Sequence, residues 1–419
     1  MHHKMEQEQC DVLIIGGGAA GCGAALALFG SGASYMILDR AARFGGKATN
    51  AMVGTICGTF IRSSDEQPRW ALCGRVQDFC VDVMACSRTV PERGAHGLWY
   101  MPYRIEAFNE VAMMPLIGFN ERTRLGSTVT SCEVNDRRIG RVHVESASGF
   151  YAITPGAVID CSGSAVMSRL CGADVITEQR YQAPSQVFFL SGIHTDDAPT
   201  LELAMMRALM RATARGDELV VGVKHIGLLH GSLRDGSVGV KVTLHHRPEQ
   251  GEDLNELNAL GHRTALEIIE FLRQQVEACS ECTIKSIAPE IGVRTEQRPV
   301  GKHILTQTEV LGAQKPTDGV AVGAWPIEHW GDGPGADMQW LPEGEHYLIP
   351  AGALESAAIE GLYFAGRGIS ASEMAIASAR VIGTCLSTGY AAGMLAAYHA
   401  LGKSRDEAIA RLRAEQLPH

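Results

Sequence analysis

The segment 11–21, with the sequence DVLIIGGGAAG, joins an apolar run to three glycines in the spacing G-x-G-x-x-G. The apolar run predicts a fully buried parallel strand, and the Ala- and Leu-rich stretch that continues to Leu28 predicts a helix. In a turn between strand and helix, Gly16 permits the tight bend, Gly18 lets a pyrophosphate approach the backbone, and Gly21 lets the helix pack closely on the strand. This segment therefore predicts the start of a dinucleotide-binding unit.

A second strand that ends in an acid strengthens that prediction. Residues 35–38 are apolar and lead to Asp39, about 20 residues beyond Gly18, where a carboxylate can accept a hydrogen bond from a ribose hydroxyl. The first helical residues, Ala19 and Ala20, offer free N–H groups and the positive end of the helix dipole to phosphates. The alternative is an ordinary glycine-rich turn of an α/β fold. The chain is expected to bind a dinucleotide.

Length and composition indicate a large globular protein. With 419 residues, 46% of them apolar and 20% charged, the chain is expected to form about two domains. A net charge of −10 argues against a nucleic-acid partner, because such sites need clustered Lys and Arg. The start of the chain lacks the apolar core of a signal peptide, and the most apolar helical stretch, 391–401, is too short to span a membrane. A cytoplasmic location is therefore expected.

The twelve cysteines are spread along the chain, and several fall inside apolar runs, which favours buried, reduced thiols. Cys279 and Cys282 have the spacing of a redox or zinc motif, but no second Cys/His pair lies at a metal-site distance. No metal site is predicted.

The fold class expected from these patterns is α/β, with a Rossmann-like βαβ unit and a three-stranded antiparallel meander. Alternating apolar residues at 127–134, 139–146 and 151–153 predict the meander. A further buried strand with a small-residue turn is predicted at 156–163.

The pattern of apolar and polar residues changes in the middle of the chain. Strand and helix patterns from 173 to 354 predict an inserted α+β substrate domain that caps the first. Dinucleotide-domain character then returns, so that 1–172 plus 355–419 are expected to form one discontinuous cofactor domain.

Segments in the second half resemble a known family. The stretch 360–370, EGLYFAGRGIS, followed by ARVIGTC at 379–385 and AAG at 391–393, is similar to the C-terminal FAD signature of the FAD-dependent oxidoreductase family. That family is part of the glutathione-reductase-like flavoprotein superfamily with two dinucleotide-binding domains. Two further blocks, 291–306 and 318–329, resemble other segments of the family in the family's order. The resemblance implies FAD as the cofactor.

The resemblance also implies which residues contact FAD. Carried over by position, the expected contacts are Gly16, Gly18, Ala19, Ala20, Gly21, Asp39, Arg40, Gly45, Gly46, Lys47, Thr49, Val129, Ser162, Gly163, Gly366, Arg367, Val381, Ile382 and Gly383. The segment 381–383 would place a helix N-terminus under the flavin carbonyls, where its dipole stabilises negative charge on the reduced ring. The alternative is that these glycines only pack a generic α/β fold.

Other features narrow how the cofactor is used. No His lies between 45 and 60, where fumarate-reductase-like relatives attach FAD covalently, so non-covalent flavin is expected. The glycines at 331–335 have the wrong spacing for a second G-x-G-x-x-G, and a dedicated NAD(P)H domain is not expected.

Four residues are candidates for the chemistry. Arg294 and Arg298 provide fixed cations for a carboxylate or oxyanion of the substrate; the alternative is a structural ion pair with Glu296 or Glu290. Cys57 is a candidate redox thiol, or equally a filler of the loop that faces the ring.

His329 is the candidate proton acceptor, since it lies in a family block together with Trp325. Four other histidines are alternatives that the sequence does not separate from it: His225, His230, His245 and His246.

These features together predict an FAD-dependent oxidoreductase that dehydrogenates an organic substrate at the interface of its two domains, with O2 or an unidentified compound as electron acceptor. One alternative is an NAD(P)H-dependent flavin monooxygenase acting on a small molecule or on a peptide or protein side chain. Another is a flavin-carrying electron-transfer or assembly partner with no substrate of its own. The substrate and any homo-oligomeric state stay open.

Overall fold

Strands and helices alternate along most of the chain. The computed structural model describes residues 6–114 and 123–418. The helices are α1 (Ala19–Leu28), α2 (Lys47–Asn50), α3 (Gly74–Ser87), α4 (Ile105–Met113), α5 (Val166–Leu170), α6 (Ala198–Arg215), α7 (Leu254–Gln275), α8 (Gln307–Leu311), α9 (Glu373–Ala379), α10 (Ile382–Ala400) and α11 (Arg405–Gln416). The strands are β1 (Glu6–Ile15), β2 (Tyr35–Asp39), β3 (Thr55–Ile56), β4 (Phe60–Ile61), β5 (Arg69–Trp70), β6 (Glu92–Arg93), β7 (Trp99–Pro102), β8 (Thr123–Leu125), β9 (Ser127–Asn135), β10 (Arg138–Ser146), β11 (Gly149–Asp160), β12 (Val175–Ile176), β13 (Ser185–Ser191), β14 (Val223–Leu228), β15 (Ser237–Leu244), β16 (Thr283–Ile287), β17 (Arg298–Pro299), β18 (Gly319–Gly323), β19 (Ile327–His329), β20 (Asp337–Gln339), β21 (Tyr347–Pro350) and β22 (Leu362–Phe364).

A seven-stranded sheet carries the first domain. Its order is β8-β2-β1-β11-β10-β9, and β22 also pairs with β11. Strands β8, β2, β1, β11 and β22 pair in parallel, whereas β9, β10 and β11 form an antiparallel meander. The α/β class, the βαβ unit and the meander are therefore confirmed.

One predicted break in the sheet is absent. The patterns at 151–153 and 156–163 belong largely to one continuous strand, β11, which pairs with β1 from Tyr151 to Asp160. Gly156, the first residue of the second predicted strand, lies where a Cβ atom would be 2.8 Å from the backbone oxygen of Asp11. This glycine allows close approach of the two strands rather than a turn.

Helices α1 and α10 pack against each other through small residues. A Cβ atom on Gly389 would lie 2.0 Å from the oxygen of Ala20, and one on Gly23 would lie 2.2 Å from that of Leu386. This close packing brings the C-terminal family segment against the glycine-rich turn. Among the described residues, no single helix is long and apolar enough to cross a membrane, although α9 and α10, bent by 96°, reach that length and composition together.

A four-stranded antiparallel sheet forms the part of the chain that we call the cap. Its order is β14-β15-β13-β16, and its core includes buried side chains of α6 and α7 and extends from Phe188 to Val293. Buried residues from Leu305 to Leu354 pack instead in the core that contains α1 and α10. The division of the chain at 173 and 354 into two folding units stays a prediction. The end of the predicted cap segment, from 305 to 354, nevertheless packs in the core of the first part of the chain.

Candidate functional site

A long cleft lies at the carboxyl ends of the parallel strands, where ligands bind in open α/β sheets. It is lined by the turns after β1, β2, β11 and β22. Fifteen of the expected cofactor contacts line it: Gly16, Gly18, Ala19, Ala20, Asp39, Arg40, Gly45, Gly46, Lys47, Val129, Ser162, Gly163, Gly366, Arg367 and Ile382. Segments far apart in sequence thus form the walls of a single cleft.

The three glycines of the first turn have different surroundings. Gly16 has a φ of +105°, and a Cβ atom there would lie 2.6 Å from the oxygen of Cys161. A Cβ on Gly21 would lie 1.9 Å from the oxygen of Gly16, so this glycine permits the contact between helix and strand. A Cβ on Gly18 would meet only the Cα of Gly46, at 3.8 Å, and would project into the cleft. Gly21 does not line the cleft.

Asp39 fixes the turn as well as facing the cleft. Its Oδ2 accepts a hydrogen bond from the N–H of Gly17 at 2.5 Å, and its Oδ1 accepts one from the N–H of Ala41 at 2.7 Å. Burial raises the pKa of this carboxyl, and the two N–H donors oppose the rise. Asp39 therefore orders the glycine turn and retains lone pairs for a ribose hydroxyl.

Thr49, an expected cofactor contact, lies behind the cleft. Its Oγ1 donates a hydrogen bond to the oxygen of Phe44 at 2.7 Å, and a Cβ atom on Gly45 would lie 2.3 Å from its methyl carbon. Thr49 thus packs behind the glycine pair 45–46, and its side chain does not reach the cleft.

The turn that carries Ser162 and Gly163 is ordered by an acid that sequence reasoning missed. Asp160, the last residue of β11, accepts hydrogen bonds from the N–H groups of Ser162 and Met167 at 3.0 and 2.8 Å. Burial raises its pKa. An acid at the end of a buried strand, directly before a small-residue turn, was the available signal.

An ion pair between Lys47 and Glu290 joins the cleft to the segment that follows β16. Lys47 Nζ lies 2.7 Å from Glu290 Oε2 and also donates to the oxygen of Ile291 at 3.0 Å. Burial lowers the pKa of Lys47, although Glu290 opposes the fall. Glu290 was expected only as an alternative partner of the arginines; in the structure it lines the cleft and pairs with Lys47.

The expected helix N-terminus is only partly available. Ile382 lines the cleft, but the N–H of Gly383 donates to the oxygen of Cys57 at 3.0 Å. Val381 packs in an apolar cluster with Leu98 and Trp325. Val381 and Gly383 therefore support the neighbouring loop and do not line the cleft.

Next to the cleft, on the side that Arg380 lines, is a group of charges that we call the cation cluster: Lys241, Arg294 and Arg380 around Glu328. Both carboxylate oxygens of Glu328 accept indole N–H bonds, from Trp325 at 3.0 Å and from Trp330 at 2.7 Å. Arg380 donates to the backbone oxygen of Glu328 at 2.9 Å and also lines the cleft. The cluster therefore adjoins the cleft directly.

Strand alternation explains how the cap contributes to the cluster. On β15, Val240 and Val242 lie in the cap core, so Lys241 and Thr243 point to the other face. His225 pairs with Thr243 across the sheet, and the guanidinium of Arg294 donates to the Thr243 hydroxyl at 3.3 Å. The cap thus presents a polar face beside Glu328.

Electrostatics within the cluster shift several pKa values. Burial alone would raise the pKa of Glu328, but the charges of Arg380, Lys241 and Arg294 together lower it to about 2. Burial and the Arg380 charge lower the pKa of Arg294 to about 9. Burial, with Lys241 and Arg294, lowers the pKa of His225 to about 4, which leaves this imidazole neutral at neutral pH.

The predicted catalytic residues separate in the structure. Arg294 joins the cluster and lies over the Trp330 ring, 4.6 Å from its centroid, and its partners are the oxygens of Ala183 and Thr243. Arg298 is fully buried and forms an ion pair with Glu178. Arg298 therefore serves packing, and in the described part of the chain neither arginine forms an ion pair with Glu290 or Glu296.

His329 lies on the opposite face of its strand from Glu328. Its Nε2 is 2.8 Å from Glu373 Oε1, and neighbouring residues of a strand point to opposite sides. His329 therefore does not join the cation cluster, and its role as the proton acceptor stays a prediction.

Cys57 packs against the same apolar cluster as Val381, and burial raises the pKa of its thiol to about 12. Because the thiolate is the reactive form, Cys57 is expected to be inert at neutral pH.

We expect Cys57→Ala protein to keep its flavin and its turnover within about threefold of the wild type, since no charge or hydrogen bond to the cluster is removed. Steady-state assays check this; a loss of more than about a hundredfold with flavin retained would restore Cys57 as a catalytic candidate.

Comparisons with known proteins agree with this geometry. The sequence matches the family described as FAD dependent oxidoreductase over residues 11–417. The structure of a geranylgeranyl bacteriochlorophyll reductase-like protein from Thermoplasma acidophilum is similar with a TM-score of 0.50 and 10% identity, over 97% of this chain and 83% of that one. OxyS anhydrotetracycline hydroxylase from Streptomyces rimosus gives a TM-score of 0.48 and 12% identity, over 97% and 65% of the two chains. At these identities the likeness is one of fold alone, and no curated protein matches the chain significantly in sequence. Because the family match spans nearly the whole chain, the protein belongs to the FAD-dependent oxidoreductase family.

Proposed function

We propose that this FAD-dependent oxidoreductase dehydrogenates an organic substrate held between the flavin end of the cleft and the cap. The observation that carries the proposal is the position of Arg380, which lines the cleft and also contacts Glu328 in the cation cluster. A substrate in contact with the cluster would therefore lie next to the cofactor. The polar face of the cap beside Glu328 carries Lys241 and, on the neighbouring strand, His225.

The residues of the cleft fit FAD. The open side of Gly18 leaves room for a pyrophosphate. Asp39, Val129, Lys47 and Arg367 line the same cleft, where Asp39 would hold the ribose and Val129 the adenine. Bound FAD would supply the acceptor for a hydride equivalent, with O2 or another compound as the final electron acceptor. The protein then has to bind and orient the substrate, exclude water and receive a proton.

His225 is the residue that we assign to the proton. Its Nδ1 is buried and has no hydrogen-bond partner among the described residues. Its lowered pKa keeps it unprotonated at neutral pH, as a general base must be before it acts. The ring lies against Trp330 with centroids 5.5 Å apart, which restricts its orientation. Glu328 is a poorer candidate, because a carboxyl group whose pKa is lowered to about 2 is a weak base.

An anaerobic absorption spectrum of the purified holoenzyme tests the proposal. We expect the flavin band to persist after addition of NADH or NADPH and to bleach with an organic substrate found by screening amines, amino acids, alcohols and carboxylic acids. Return of the band on admission of air, with formation of hydrogen peroxide, would identify O2 as the acceptor. Rapid bleaching by NADPH together with a hydroxylated product would favour the monooxygenase instead.

A pair of histidine variants tests the assignment of the proton. We expect His225→Asn to slow bleaching by substrate by about a hundredfold, since general-base catalysis contributes about 10²–10⁴. His194→Asn is the matched control, because His194 is exposed in the same cap and pairs with Glu281. Equal rates for the two variants would remove His225 from the mechanism. A protein that binds no flavin, even after reconstitution, would overturn the whole proposal.

A further inference from the structure

The cation cluster carries more positive than negative charge. Three cationic side chains, Lys241, Arg294 and Arg380, interact with one carboxylate, that of Glu328. We propose that this excess charge receives the carboxylate of the substrate, so that the enzyme acts on an aromatic carboxylic acid. The inference rests on the proposed function, because it assigns the substrate class of the same site.

Hydrogen bonds within the cluster leave the cations with unused donors. Among the residues that the structure describes, the ammonium group of Lys241 has no hydrogen-bond or ion-pair partner, and Arg380 Nε is buried without an acceptor. Arg294 donates only to the uncharged oxygens of Ala183 and Thr243. Among the described residues, the Glu328 carboxylate accepts the two indole N–H bonds and forms no ion pair with any of the three cations.

The charges are deep in the molecule, where an unpaired charge is costly. Burial lowers the pKa of Lys241, and burial also lowers that of Arg380. Both residues nevertheless keep some accessible surface, and Arg380 lines the cleft. An anion bound beside Lys241 and Arg380 would pair with them and remove the cost. A neutral ligand of the same shape would leave the cost unchanged.

Aromatic side chains indicate the body of the ligand. Tyr100 stacks on His230 with centroids 3.9 Å apart and meets the edge of Trp325 at 5.6 Å. Trp330 lies on the other side of Glu328, under the guanidinium of Arg294. Flat, largely apolar surfaces next to cations suit an aromatic ring that bears a carboxylate.

The test compares acids with their neutral amides on the FAD-reconstituted protein. Benzoate, phenylacetate and indole-3-acetate are each titrated against benzamide, phenylacetamide and indole-3-acetamide, with perturbation of the flavin spectrum as the readout. We expect at least one acid to bind at least tenfold more tightly than its amide. Equal affinities within every pair would overturn the inference, as would the absence of any response to an acid. If sulfate at the same concentration displaced the acid, the inference that the ligand must carry an aromatic ring would be overturned.

Variants of Lys241 separate charge from shape. We expect Lys241→Met to weaken binding of the acid at least tenfold and to leave the amide unchanged, whereas Lys241→Arg keeps the preference for the acid. Lys285→Met, on the exposed edge strand β16, is the matched control and should bind the acid as the wild type does. An unchanged preference in Lys241→Met would contradict the inference.

Thermal unfolding of the apo protein gives a readout that does not depend on turnover. Lys241→Met should melt at a higher temperature than the wild type, because an unpaired buried charge is removed. The acid should raise the melting temperature of the wild type and not that of Lys241→Met. A lower melting temperature for Lys241→Met would contradict an unpaired charge at this position. Failure of flavin binding would instead refute the proposed function, so the two failures are distinguishable.

Discussion

Gly18→Val protein should be folded and colourless. The φ and ψ of Gly18, −72° and −172°, are extended values that valine adopts without strain. Its side chain would project into the cleft, with only the Cα of Gly46 within 4 Å of the new Cβ. Valine at this helix N-cap should lower the stability of the apo protein by about 1 kcal/mol. The space taken by its methyl groups is the space that a pyrophosphate needs, so flavin binding should be lost.

Flavin content after reconstitution measures the loss of cofactor binding, and the far-UV circular dichroism spectrum shows whether the variant is folded. Gly333→Val is the control, because a Cβ atom on Gly333 would have no neighbouring atom within 4 Å and this glycine lies away from the cleft. It should bind FAD as the wild type does. A yellow, fully loaded Gly18→Val protein would show that the cleft is not the cofactor site.

The glycine turn could be predicted because its geometry is local. The spacing fixes the contact of Gly21 with Gly16 inside the turn, whereas the contacts of Gly16 with Cys161 and of Gly18 with Gly46 involve segments that pack on it. The same holds for the βαβ unit and the meander, whose alternation of apolar residues is visible over a few residues. Gly156 shows the limit, since a glycine signals a close approach or a turn and the sequence does not say which.

The cation cluster could not be predicted in the same way. Glu328 lies beside the first core and Lys241 lies on the cap sheet, so that their proximity depends on tertiary packing between distant segments. His329 and Glu328 are neighbours in one family block, and only the direction of β19 decides which of them faces Lys241. The boundary of the cap illustrates the same point, because the residues from Leu305 to Leu354 join the first core through tertiary packing.

Glu328→Gln should destabilise the protein by about 3 kcal/mol at neutral pH. The folded-state pKa of Glu328 is about 2, and an unperturbed glutamate has a pKa of about 4.3. Because a pKa difference of one corresponds to about 1.4 kcal/mol, the ionised form gains about 3 kcal/mol from its cationic neighbours. Glutamine keeps one acceptor for the indoles of Trp325 and Trp330 but removes the charge that compensates Lys241, Arg294 and Arg380. Urea unfolding of the apo protein measures the loss, and Glu267→Gln, an exposed change on α7, should alter stability by less than about 0.5 kcal/mol.

The pH dependence gives this prediction its sign. Glu328 is ionised in both the folded and the unfolded state above pH ~5, so its full contribution is present there. As the pH falls below about 4.3, the unfolded state takes up the proton first, and the contribution is lost as the pH approaches the folded-state pKa of about 2. The difference in unfolding free energy between wild type and Glu328→Gln should therefore shrink from about 3 kcal/mol toward zero over that interval. A difference that stays constant between pH ~5 and ~3 would mean that the glutamine disturbs packing, and that the negative charge of Glu328 does not hold the cation cluster together.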